Sequence, residues 1–150
     1  MTYKIPKEEE VVMKIMLFRV WVEDRMREIR SIFFKDGVAE YALLDVPSGE
    51  NYEYAHLAHV PVMQYIGIED SDGREIFEGD ILSIDFGDEV ELCNVQYFGN
   101  EGYPAFDVEV SFTPECNVIS SAKSQGMTIK VVGNIYENPE LMKSVKVRKS

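Results

Sequence analysis

His56 and His59 lie three residues apart and would share one face of a helix, a spacing at which paired imidazoles bind metal in some proteins. No cysteine pair and no His-Glu-x-x-His pattern accompanies them, so two ordinary histidines are the expected reading. Asp70-Ser71-Asp72-Gly73 resembles the opening of a calcium loop. An EF-hand needs a third ligand before the glycine and a bidentate acid at the loop end, and here the glycine comes too early. A hairpin turn is expected instead. Ten acidic residues crowd the stretch from Glu69 to Glu91, against the single base Arg74. Two carboxylates of such a set are able to act as general acid and base or to hold magnesium. Strand alternation would send most of them to solvent. Cys93 and Cys116 are too few and too far apart for a disulfide framework, and read as reduced, mostly buried thiols. The chain has no Gly-x-x-x-x-Gly-Lys loop, dinucleotide fingerprint or Gly-x-Ser-x-Gly elbow. No catalytic residue, cofactor-binding residue or metal ligand is therefore assigned, no cofactor is expected, and the chain reads as a non-enzyme.

Charge is divided along the chain. The net charge is −12, but residues 36–122 hold 19 acidic residues and one base. Residues 14–35 hold six basic and three acidic residues, and residues 123–150 six basic and two acidic. A middle this acidic repels phosphate over more than a Debye length, roughly 8–10 Å, so DNA binding through a basic face is disfavoured. The basic flanks are suited to meeting the acidic middle, within one chain or between chains. No apolar run approaches the roughly 20 residues of a membrane helix, and the first residues carry no apolar signal core, so a cytoplasmic protein is expected.

The elements that must position these residues are strands. Residues 1–13 read as a flexible N-terminal arm. From Lys14 the texture turns to β-branched and aromatic residues with short glycine turns. Strands are predicted near 15–22, 27–34, 62–68, 81–86, 90–98, 103–110 and 127–132. Asp36-Gly37 is a strong hairpin signal, Pro47 to Asn51 is a loop, and 52–59 is ambiguous between strand and helix. Residues 111–126 read as a polar, mobile excursion with at most one short helix. Asn138-Pro139-Glu140 reads as an N-cap, a proline at the first helical position and an acid at the positive end of the helix dipole. This spacing predicts a mainly β protein, a small antiparallel barrel or sandwich with an N-terminal β extension and little helix. The organisation expected is an N-terminal β region over 14–60, a barrel-like region over 61–142 of the same unit, and a basic tail over 143–150. Trp21, Phe18, Tyr65, Ile81, Ile84 and Ile135 are the predicted core.

Three segments carry a resemblance. They are Phe18-Arg19-Val20-Trp21 with Met26 after it, Met63 to Asp70 continuing through Asp72 to Leu82, and Val132-Gly133-Asn134-Ile135-Tyr136-Glu137-Asn138-Pro139-Glu140-Leu141. In this order, over about residues 15–142, the chain resembles the YopX family of phage- and prophage-borne proteins. The arm before Lys14 and the 111–126 excursion depart from the family pattern. The resemblance implies a phage or prophage origin and a mostly β architecture, and implies no catalytic residues. The glycines of these motifs, Gly67, Gly73 and Gly79, sit where turns or close backbone approach are wanted.

Three functions compete on this reading. The first is an interaction or assembly module that self-associates or binds a host or phage protein. The second is a nucleic-acid-related role, either single-strand binding through Tyr97, Phe98, Tyr103 and Phe106 or acidic mimicry of DNA. The third is a metal-dependent hydrolase using the acidic cluster.

Overall fold

The computed structural model describes residues 15–47, 51–112 and 117–145. The predicted arm, the centre of the 47–51 loop, Cys116 and the tail beyond Val145 lie outside the described residues. In chain order the elements are β1 (Phe18–Val22), β2 (Arg25–Lys35), β3 (Val38–Leu44), β4 (Glu53–His56), β5 (Val62–Glu69), β6 (Glu75–Phe77), β7 (Asp80–Asp85), β8 (Val90–Asn94), β9 (Gln96–Tyr97), β10 (Phe106–Asp107), α1 (Val118–Ser124) and β11 (Thr128–Asn134). Short 3₁₀ turns occupy Leu57–His59, Gly99–Glu101 and Pro139–Ser144.

Two tight hairpins start the fold. Asp36 and Gly37, at φ 51° and 80°, join β2 to β3 with Lys35 opposite Val38. Two central residues of positive φ match the twist of the flanking strands, which is why Asp-Gly signals this turn. Glu23 and Asp24 do the same between β1 and β2, at φ 50° and 59°. Neither is glycine, so left-handed backbone there costs about 1–2 kcal/mol per residue. The turn nevertheless closes the register that sets Val22 opposite Arg25.

Two larger sheets form, with a two-stranded ribbon of β9 and β10. The six-stranded sheet has the order β4-β3-β2-β1-β5-β6 and the three-stranded sheet the order β11-β7-β8. Every strand pair is antiparallel. Because alternate strand residues face opposite sides, the first sheet buries one face around Val20, Ala42, Leu44 and Ala55. A separate, larger core gathers Ile76, Leu82, Ile84, Cys93, Val95, Val108, Val110, Ile129 and Val131 with Val118, Ile119 and Ala122 of α1.

The mainly antiparallel β class holds, with the sheets left open rather than closed into a barrel. Their edges are β4 and β6 in one and β11 and β8 in the other. The ladder stops at Glu78-Gly79, where β6 gives way to β7 of the other sheet, so two cores replace a barrel interior. Among the predicted core residues, Ile81 and Ile84 are fully buried. Phe18, Trp21, Tyr65 and Ile135 are only half-buried, because they ring the joint between the cores. The predicted 103–110 strand shrinks to β10, and the predicted 90–98 strand divides at Val95, whose N–H donates to Asp80 O. The one short helix expected within 111–126 is present as α1, but it is part of the larger core rather than a mobile excursion, and residues 113–116 lie outside the described residues. Among the described residues, no helix is long and apolar enough to cross a membrane.

Candidate functional site

The three sequence segments that carry the resemblance meet at the joint between the cores. Arg19 of β1 is 8% exposed, and its Nη2 donates to Asp80 Oδ1 at 2.6 Å and to Glu78 O at 3.3 Å. Its guanidinium lies 4.6 Å from the Phe77 ring centroid. The other Asp80 oxygen accepts the Phe77 N–H at 2.8 Å. Burial pushes the Asp80 carboxyl up, while Arg19 and the Phe77 N–H pull it back. Trp21 stacks on Tyr136 at 5.7 Å, and Tyr65 lies 5.9 Å from Phe77.

The glycines of these motifs serve the same joint. Gly79 has φ 86°, and a Cβ there would stand 3.2 Å from Met63 Sδ. A Cβ at Gly133 would stand 2.5 Å from Asn138 Oδ1. Asn138 uses that oxygen to accept the Asn134 N–H, and makes no side-chain cap to the turn that follows. Pro139 does open that turn, which is 3₁₀. The N-cap expectation is thus half right: the start is correct, but the side chain bonds backwards.

The acidic cluster is dispersed. Six of its ten members, Glu69, Asp72, Glu75, Asp85, Asp88 and Glu89, are exposed. Three are buried, and each has its own partners. Asp70 accepts the N–H groups of Asp72, Arg74 and Val131, pinning the β5–β6 turn to β11. Burial alone would raise its carboxyl, but those N–H groups hold it below the usual aspartate value. Asp80 is bound as described, and Glu91 receives both the N–H and the hydroxyl of Ser111. Asp107, outside the cluster, accepts the N–H groups of Val108, Val118 and Ile119 and so ties the start of α1. No group of three His, Cys, Asp or Glu side chains placed to hold a metal occurs among the described residues.

His56 and His59 are both exposed, with ring centroids 5.2 Å apart. His56 Nδ1 accepts the Ala58 N–H at 3.4 Å, so it caps the 3₁₀ turn, and the ambiguous 52–59 stretch is strand followed by helix. Cys93 is fully buried, and burial followed by Glu91 and Asp107 pushes its thiol up to about 12. Of the four aromatics weighed for nucleic acid, Phe98 is buried, Phe106 packs against the larger core, and Tyr103 donates its hydroxyl to Asn117. Tyr97 is half exposed, 5.1 Å from Phe106.

Two features were missed in the sequence. One is an aromatic face on the outer side of the first sheet. Register places Phe33, Tyr41 and His56 in one row across β2, β3 and β4, with Leu43 and Tyr54 in the next. Phe33 and Tyr54 are 6.3 Å apart, and Tyr41 and His56 are 4.8 Å apart. Phe34 and Tyr54 are 66% and 62% exposed. The alternation Phe33, Tyr41, Leu43 was the available signal, but the strand of Leu43 was not predicted. The other feature is a pair of clefts near the joint. One, of about 440 Å³, sets Arg19 and Arg74 beside Glu28 and Glu75. The other, of about 320 Å³, is lined by Glu78, Asn94, Tyr97 and Tyr136 among others.

The profile of the YopX protein family matches residues 17–143. Among solved structures, the chain is similar to protein EF1440 from Enterococcus faecalis. The two are 26% identical with a TM-score of 0.59, over 85% of this chain and 98% of the other. No curated protein matches the chain. The segments that meet around Arg19, Asp80 and Tyr136 all fall within the matched span, and the chain belongs to the YopX protein family.

Proposed function

We propose that this chain is a non-catalytic assembly module of phage or prophage origin, acting in the bacterial cytoplasm by self-association. The observation that carries the reading is the exposed aromatic face of β2, β3 and β4. Phe33, Tyr41 and Tyr54 all stand at 41% exposure or more. Contiguous exposed aromatics on a folded sheet mark a contact surface more often than a solvated one. The occupant favoured by charge is a second copy. Arg25, Arg30 and Lys35 of β2 are exposed, and so are Asp85, Asp88, Glu89 and Glu101 on the other half of the molecule. Exposed ion pairs contribute only about 0–1 kcal/mol each, so charge selects the opposing surface and aromatic burial holds it. The buried carboxylates support a non-catalytic role, since Asp70, Asp80, Glu91 and Asp107 all spend their oxygens on main-chain groups, Ser111 or Arg19.

Sedimentation equilibrium at tens of micromolar protein and low salt tests this. An oligomer is expected for the parent, reverting to monomer in the double variant Phe33→Ser, Tyr54→Ser. A monomeric parent overturns self-association, and an oligomer unaffected by the variant places the contact elsewhere.

A further inference from the structure

The smaller cleft has a one-sided chemistry. Asn94 lines the cleft, and its Oδ1 is buried and accepts no hydrogen bond from the described residues. Glu78 shares the cleft, half-buried, and forms no ion pair among the described residues. Its main-chain N–H donates to Gln64 O and its main-chain oxygen accepts from Arg19. Burial pushes its carboxyl up, with the Gln64 N–H pulling it back. Tyr136 is raised by burial and then by Glu78, which puts the two groups within electrostatic reach. Tyr97 presents a half-exposed ring, and no basic residue lines the cleft.

A half-buried carboxylate with no ion-pair partner among the described residues, beside aromatic rings, selects a cation that carries several N–H groups. A guanidinium or alkylammonium donates to the carboxylate, neutralises it and lies over a ring. An anion would face Glu78, and an apolar group would leave its charge uncompensated. The larger cleft shows no such preference, because its two arginines are matched by two glutamates.

We propose that this cleft binds a guanidinium or alkylammonium group between Glu78 and the Tyr97 ring. Two sources supply that chemistry: a free amine, or the basic residues Lys146, Arg148 and Lys149 that follow Val145. Val145, the last described residue, bridges Leu92 in parallel, two residues before Asn94, and the test separates the two sources.

The test is a titration with agmatine, followed by the amide signals of Asn94, Gln96 and Tyr97 in ¹⁵N-labelled protein. It is run on the parent and on the full-length variant Lys146→Gln, Arg148→Gln, Lys149→Gln. Saturable shifts at millimolar agmatine in the parent identify a site open to free amines. Shifts seen only in the variant identify the chain's own basic residues as the occupant. In whichever protein binds, Glu78→Gln is expected to weaken affinity about tenfold or more. Tyr97→Leu is expected to weaken it about two- to fivefold, and gives a second reading should Glu78→Gln fail to fold. Glu75→Gln, at an exposed acid outside the cleft, should leave it unchanged. Absence of saturable shifts in both proteins, or shifts indifferent to Glu78 and Tyr97, overturns the proposal.

Discussion

Arg19 and Asp80, sixty-one residues apart, form a 2.6 Å ion pair that is almost wholly buried and fastens the first strand of one sheet to the first strand of the other. Removing one partner of a buried pair leaves an uncompensated charge, which costs about 3–5 kcal/mol. Arg19→Met and Asp80→Leu should each show a loss of that size in urea denaturation. The double variant should be less destabilised than the two losses combined, because neither charge is then left alone. Strict additivity would mean that the pair does not couple the sheets.

Asp70 gives the acid limb of stability a specific origin. Its folded carboxyl lies below the ordinary value of 3.8, so its contribution is fully present above that value. It is lost as pH falls through the depressed folded value. Asp70→Asn should therefore be clearly less stable than the parent at neutral pH, and the gap should close below about pH 4. Denaturation midpoints of both proteins across that range check this, and a gap independent of pH would refute it.

Asp107 anchors α1, a helix of seven residues that is too short to persist by itself. Asp107→Ala strands the N–H groups of Val118 and Ile119 beside the larger core, at a cost of about 2–3 kcal/mol. Hydrogen exchange should show protection lost first over 118–124. Protection lost evenly over the chain would mean that α1 is no separate unit.

Cys93 should be chemically silent. A thiol pushed up to about 12 and fully buried holds almost no thiolate at neutral pH. In a Cys116→Ser background, a disulfide reagent should titrate no thiol in the native protein and one in urea. Rapid native labelling would show that the larger core opens readily.

What was legible in the sequence rests on local physics. Alternating β-branched and aromatic residues, broken by turns such as Asp36-Gly37, specify antiparallel strands because the side-chain period and the turn dihedrals are properties of a few neighbouring residues. Ile81 and Ile84 were legible as core for the same reason, and the family resemblance of the three motif segments needed no coordinates. The partners of Arg19, Asp70, Asp107 and Asn138 were not legible. Each bonds to a group whose position depends on how strands distant in sequence are brought together, and a charged residue reads as solvent-facing until its partner is known. Trp21 was misjudged for a related reason. Its size suggested a core residue, but only the meeting of two small cores places it at their shared rim, stacked on Tyr136. The aromatic face and the Glu78 cleft likewise exist only once β2, β3 and β4 are in register and β8 lies beside the joint. Surfaces are made by tertiary neighbours, and no single segment encodes them.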